Sequence, residues 1–312
     1  MIAKPYAPGS GIPLPPHLPV DLDRFLAASE ARFPGIRRQT EKKIVWRSPR
    51  RVRTDFAVVY LHGFSATRME LYPLCDLLAQ KIEANLFYTR LNGHGQDGRA
   101  LAAAKVEDWL HDGLEALAVG NRLGRRIILI GTSTGAALAT WLAAHSPQRS
   151  AIHALILVSP NYSPKNLFTF LTRWQLGRRI IERFMGTWRQ FTPAGPAQER
   201  YWTVGYPIKA LYTMMDLVRI ANATDLRRLT LPVLMLFNEK DRVISVGKLK
   251  RKFGALAAPH KKLVAFNGNR DPGRHVLAGD ALSPETTSQV IAIIDAFLAG
   301  ITGDGRPRPP AS

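Results

Sequence analysis

The chain has 312 residues, room for one large α/β domain or two small ones. Its 43 Lys+Arg against 24 Asp+Glu give a formal net charge of +19, whereas 46% apolar and 21% charged residues are ordinary for a globular protein. A single cysteine, Cys75, excludes an internal disulfide framework and a Cys-rich zinc site, and no apolar run approaches the roughly 18 residues of a membrane span.

Residues 1–20 are rich in Pro and Gly and lack the apolar core of a signal peptide, so an extended arm and a cytoplasmic location are expected. Asp21 is placed to cap a short helix over 22–32, stopped at Pro34-Gly35, which with the arm makes a unit over 1–43. Continuous apolar runs follow at 56–61, 84–88, 127–130, 154–158, 233–237 and 263–266, as in strands buried on both faces. Between them, 69–82, 106–123, 136–145, 246–253 and 286–298 have helical periodicity. The alternation predicts an α/β fold with a mostly parallel central sheet flanked by helices, its core spanning 44–160 and 226–299. One interval, 161–225, has no strand-like run, only helical patterning dense in aromatics and arginines. It is expected to form a helical cap inserted late in the sheet, and 300–312 a flexible tail. Cys75, beside Leu74, Leu77 and Leu78, reads as core packing.

The basic residues fall in three groups, over 32–53, 173–189 and 248–262. They are dispersed through segments with folded patterning and accompany no nucleic-acid motif, so most are expected to be solvated and no nucleic acid is expected as partner. An anionic lipid surface is the partner such charge would suit.

The sharpest motif is Gly131-Thr132-Ser133-Thr134-Gly135, of the form G-x-S-x-G, between a strand-like run and a helical one. Such an abrupt strand-to-helix turn strains the central residue and lifts its side chain above the sheet. Glycines are needed at 131 and 135 because a Cβ there would meet the neighbouring strand or helix. A second motif, Leu61-His62-Gly63-Phe64, ends the first strong strand. It can aim the Phe64 backbone N–H, with that of Thr134, at a developing oxyanion. His62 is expected to brace this loop by hydrogen bonding.

A serine hydroxyl needs a base, and the base an orienting carboxylate. Of the eight histidines, His17 lies in the arm, His111 and His145 on helices at the surface, His153 at a strand start and His260 in a Lys-flanked turn. His94, in Gly93-His94-Gly95, is expected to line the site. His275, in the loop before the last helix, is the best candidate for the base. Asp241 follows the run 233–237 and is the favoured carboxylate, with Glu239 and Asp271 in reserve as loop surface charges.

Together these features resemble the α/β-hydrolase superfamily, in its carboxylesterase and monoacylglycerol-lipase-like branch, over about residues 44–299. The resemblance implies Ser133 as nucleophile, His275 as general base and then acid, Asp241 as its orienter, and an oxyanion hole from the Phe64 and Thr134 amides. It implies hydrolysis of a small-molecule carboxylic ester through an acyl-enzyme, without metal or organic cofactor. The oxyanion motif departs from the HGGG of many lipases, and the arm and the basic segment after Gly35 match nothing in the family. Phe168 and Trp174 are expected to give the cap an apolar wall over Ser133, favouring acyl or monoacylglycerol-type esters. Arg178, Arg179 and Arg183 either meet an acidic headgroup or face solvent. Thioester or amide hydrolysis on the same triad is the alternative, although a substrate ammonium would call for an acidic group in a cap that is net basic. A non-catalytic scaffold binding membrane or nucleic acid ranks last.

Overall fold

The computed structural model describes residues 18–165, 172 and 174–301, and the expectations for most of the arm and for the tail fall outside them. The chain runs α1 (Leu22–Glu30), β1 (Lys43–Val45), β2 (Thr54–Leu61), α2 (Leu74–Lys81), β3 (Asn85–Tyr88), α3 (Gly98–Ala103), α4 (Val106–Leu123), β4 (Gly124–Thr132), α5 (Thr134–His145) and β5 (Ile152–Val158). It continues with α6 (Gln175–Met185), β6 (Trp188–Gln190), α7 (Pro196–Tyr201), β7 (Gly205–Pro207), α8 (Lys209–Ala223), β8 (Val233–Phe237), α9 (Val246–Gly254), β9 (Lys261–Ala265) and α10 (Thr287–Ile301).

The main sheet has seven strands in the order β1-β3-β2-β4-β5-β8-β9. All neighbours are parallel except β1, which runs antiparallel to β3 with Ile44 opposite Phe87. After β3 the chain crosses back to the other side of β2, so the order reverses at the β2–β4 pair, where α/β sheets form a crevice beyond the strand ends. The loops after β2, β4, β5, β8 and β9 therefore all leave from one edge.

Alternation along each strand feeds two cores. Ala57, Val59, Leu61, Ile127, Leu129, Leu155, Leu157 and Met235 pack beneath α4, α5 and α8. Val58, Tyr60, Ile128, Ile130, Ala154, Ile156, Leu234 and Leu236 pack beneath α2 and α10. Covering both faces is what makes these strands read as unbroken apolar runs.

Several local expectations are corrected. The helix expected over 69–82 begins only at Leu74, behind a 3₁₀ turn at Arg68–Glu70, with Pro73 at its N-cap; a proline offers no N–H to extend a helix through its own position. The interval 161–225 holds, besides α6, α7 and α8, an antiparallel pair of β6 and β7 with Arg189 opposite Tyr206. Three-residue strands are too short to show a period of two. Asp21 caps α1 as expected, accepting from the Arg24 amide at 3.0 Å. Not all of the basic groups are solvated: Arg90 forms a two-pronged pair with Glu30 at 2.7 and 2.8 Å, and Lys42 meets Glu115 at 2.5 Å, both buried. His145 is also buried, its ring beside Trp141.

Candidate active site

Ser133 is the single residue between β4 and α5, with φ 52° and ψ −113°. Such a backbone costs on the order of 1–3 kcal/mol for a residue with a Cβ and persists only where its surroundings enforce it. The Ser133 amide donates to Val158 O at 2.9 Å, and its carbonyl accepts from the Asn161 amide at 3.0 Å. A Cβ on Gly131 would lie 2.6 Å from Gly135 O, and one on Gly135 would strike the Leu61 carbonyl. Both glycines let α5 turn back hard against the ends of β2 and β4, with its N-terminus aimed at the crevice.

His275 and Asp241 meet across this edge. Asp241 Oδ2 accepts from His275 Nδ1 at 2.7 Å, while Oδ1 accepts from the Val243 and Ile244 amides at 2.7 and 3.0 Å. The histidine loop is fastened from behind. Asp271 Oδ2 accepts from the His275 and Val276 amides at 2.7 and 3.0 Å, and Ser159 Oγ donates to His275 O at 2.7 Å. Asp271 is thus a buried loop anchor rather than the surface charge expected of it. Glu239 is exposed and pairs with Lys250 at 2.8 Å. With its Nδ1 proton directed at Asp241, His275 presents Nε2, which is buried and without a hydrogen-bond partner among the described residues. Burial disfavours the imidazolium, but the hydrogen bond and charge of Asp241, joined by Glu70 and Asp271, outweigh it and leave the His275 pKa raised.

The loop after β2 brings Phe64 to the same place. Among the described residues neither the Phe64 nor the Thr134 backbone N–H has a hydrogen-bond partner. His62 is fully buried and braces the loop: Nδ1–H donates to Gly63 O at 2.9 Å and Nε2 accepts from the Leu91 amide at 3.1 Å. Burial pushes its pKa down to about 4, so it stays neutral. His94 corrects the expectation that it lines the site. It is fully buried, its ring 4.8 Å from that of His62 and 6.1 Å from that of Phe64, and it supports the loop from outside the cavity wall.

Ser133, His275, Phe64 and Thr134 open on one cavity of about 410 Å³. Its apolar walls come largely from the interval between β5 and β8, through Phe191, Trp202, Tyr206, Leu211 and Met214. That interval is tied to the loop after β2 by a hydrogen bond from the Thr203 amide to Ser65 O at 2.8 Å. Trp174 is more than half exposed at the start of α6 and is not part of the wall; Phe168 lies outside the described residues. Among the described residues that line the cavity, the charged or titratable side chains are Glu70 and Asp271, with His275, and none is Lys or Arg. Glu70 was not singled out by any motif, and its only sequence signal is an acid in an apolar stretch following the HGF loop. Among the described residues no group of His, Cys, Asp and Glu could hold a metal ion.

The sequence model of the family described as serine aminopeptidase, S33 (Hydrolase_4) matches residues 53–279. No curated protein gives a significant match to the chain. The backbone is similar to a solved structure from work on LipS and LipT, two metagenome-derived lipolytic enzymes (TM-score 0.70, 16% identity, 85% of this chain and 99% of that one). It is also similar to a soluble variant of Saccharomyces cerevisiae monoglyceride lipase in complex with a substrate analogue (TM-score 0.64, 14% identity, 86% and 92%). A third similar structure is the monoacylglycerol lipase of Paleococcus ferrophilus (TM-score 0.60, 15% identity, 83% and 98%). At these identities the likeness is one of fold.

Proposed function

The chain belongs to the serine aminopeptidase S33 family of α/β-hydrolases, and we propose that it is a serine hydrolase of carboxylic esters working through Ser133, His275 and Asp241. The observation that carries this reading is that the strained Ser133 and the unpartnered Nε2 of an Asp241-bound His275 face one cavity.

In the first half-reaction Ser133 Oγ attacks the ester carbonyl carbon while His275 Nε2 takes its proton. The carbonyl π electrons move to oxygen, and the Phe64 and Thr134 N–H groups receive that charge; losing one such donor typically costs about 10²–10³ in rate. When the tetrahedral intermediate collapses, the C–O bond to the alcohol breaks and the imidazolium returns its proton to the leaving oxygen. Water then repeats the sequence on the acyl-enzyme, releasing the acid and restoring Ser133. The segment 161–225 acts as a cap, and its aromatic and aliphatic walls favour an acyl chain or an aromatic ester.

A second reading, hydrolysis of an amide or ester with a substrate ammonium, is favoured by one specific observation: the acidic groups it needs stand in the cavity itself, as Glu70 and Asp271, rather than in the cap. A panel of p-nitrophenyl esters of graded chain length, monoacylglycerols, acyl thioesters and aminoacyl anilides separates the readings. Turnover of neutral esters above anilides supports the first, and the reverse order the second. No turnover and no labelling by a fluorophosphonate would remove both.

The partner outside the cavity is an anionic lipid surface met by α6. Leu176, Ile180 and Phe184 form an exposed stripe one turn apart, with Leu176 67% and Phe184 84% exposed, flanked by Trp174 and Trp188. Arg179 and Arg183 are exposed beside it, whereas Arg178 is held by Asp216 at 3.2 Å and Glu182 by the Tyr212 hydroxyl at 3.2 Å. An apolar stripe edged by arginines suits an interface with acidic headgroups. Co-sedimentation should show binding to phosphatidylglycerol vesicles, weaker on phosphatidylcholine, falling as salt is raised and lost on Phe184→Ser with Arg183→Glu. Equal recovery with both vesicle types, indifferent to salt and to these substitutions, would remove the partner.

A further inference from the structure

Glu70 stands in the cavity wall without a part in the proton transfers just described. It is 3% exposed, and its Oε2 accepts two hydrogen bonds, from the Gly63 amide at 2.7 Å and the Tyr60 hydroxyl at 2.9 Å. Its Oε1 also lies against Gly63, where a Cβ would come within 2.7 Å of it, so the carboxylate occupies the space a side chain at 63 would need. Tyr60 on β2 donates to Glu70, and the charges of His275 and Asp271, which line the same cavity from the loop between β9 and α10, act on it. Those that act on His275 are Asp241 from the loop after β8, together with Glu70 and Asp271.

A buried carboxylate without a basic partner is costly, and no Lys or Arg pairs with Glu70 among the described residues. Hydrogen bonds from Gly63 and Tyr60 offset part of that cost. Of the influences on Glu70, the one cationic group is the His275 imidazolium, the state the ring would pass through in each acyl transfer of the proposed mechanism. The bond to Gly63 has a second consequence. It fixes the His62–Gly63 peptide, while Gly63 O, accepting from His62 Nδ1 and the Ala66 amide, fixes the next one, whose Phe64 N–H has no hydrogen-bond partner among the described residues.

We propose that Glu70 is a positioning residue for the hydrolysis, holding the oxyanion loop through the Gly63 amide and standing with His275 in the wall of one cavity. The inference rests on the serine-hydrolase reading above. Burial is the largest influence on Glu70 and, with the Asp271 charge, leaves its pKa raised, although the Gly63 and Tyr60 hydrogen bonds and the His275 charge act the other way.

The two roles separate by substitution. Glu70→Gln keeps an acceptor for Gly63 and removes the charge; Glu70→Ala removes both. With a neutral p-nitrophenyl ester, the acid limb of kcat/KM should move to lower pH in Glu70→Gln, because the imidazolium loses a stabilising charge. Glu70→Ala should lose a further factor of about ten in kcat with little change in KM, less than the 10²–10³ of deleting a donor outright. A Glu70→Gln profile that superimposes on that of the native enzyme overturns the proposal, as does a Glu70→Ala kcat equal to that of Glu70→Gln. Circular dichroism checks folding, and if the alanine variant fails to fold the glutamine profile still decides. Ser133→Ala is run in parallel. Turnover surviving it would sink the underlying reading, whereas an essential Ser133 with an unshifted limb would sink only the role of Glu70.

Discussion

Replacing Ser133 by alanine should lower kcat for ester hydrolysis by on the order of 10⁶, leaving only the acceleration that substrate binding and the oxyanion hole supply. On the proposed mechanism covalent catalysis depends on the Ser133 hydroxyl at the strained turn between β4 and α5. Thr134 is the other hydroxyl beside the elbow, but its Oγ1 is buried without a hydrogen-bond partner among the described residues, including a base. The loss should appear in kcat rather than KM, because the cavity walls that bind the acyl group are untouched. The folded state should survive, and removal of a hydroxyl from a strained position that stays strained gives no reason for a large change in Tm. Steady-state kinetics, fluorophosphonate labelling and a thermal melt together check this. Labelling that persists in the variant would move the nucleophile elsewhere.

Asp241→Asn should cost about 10⁴ in kcat, although it changes the size of the side chain hardly at all. The geometry explains why an isosteric change would be so damaging. Asp241 Oδ1 accepts from two backbone amides, so the carbonyl oxygen of an asparagine would be drawn to that side. Its NH₂ would then face His275 Nδ1, where a proton acceptor now stands. Nδ1 would have to become the acceptor, the ring proton would shift to Nε2, and Nε2 could no longer take the proton of Ser133. Removing the carboxylate charge also removes one of the influences that raise the His275 pKa, so the acid limb of residual activity should move to lower pH. A pH–rate profile extending above neutrality checks both effects. Loss of activity with an acid limb that stays in place would mean that Asp241 acts on folding of the loop alone.

The legible part of this site was local. A strand, a Gly-x-Ser-x-Gly turn and a helix lie within one stretch, and the steric demand on Gly131 and Gly135 follows from covalent geometry. His275 and Asp241 were found by elimination along the chain and by their places after late strands; the structure brings them within 2.7 Å. The illegible part depended on burial. Asp271 looked like any loop acid, yet two amides of the next few residues converge on one of its oxygens. His94 sat in a promising Gly-His-Gly loop, but its ring is buried beside those of His62 and Trp109 and is not among the cavity's lining residues. In the 161–225 interval the count of aromatics pointed to the region, but only contacts could distinguish Trp202 and Tyr206 in the wall from Trp174 on the surface.

Alternating apolar runs determined by themselves that a parallel sheet would form and that its loops would collect along one edge, because strands buried on both faces and joined by helices have few other arrangements. The net charge of +19 was equally plain in the sequence, but its meaning was not. Charge acts according to where it faces and what screens it, and those are properties of the folded chain. Folding buries Lys42 and Arg90 in ion pairs and leaves Arg179 and Arg183 outside on α6. The same folding places Glu70 and Asp271, and no Lys or Arg, among the described residues that line the cavity.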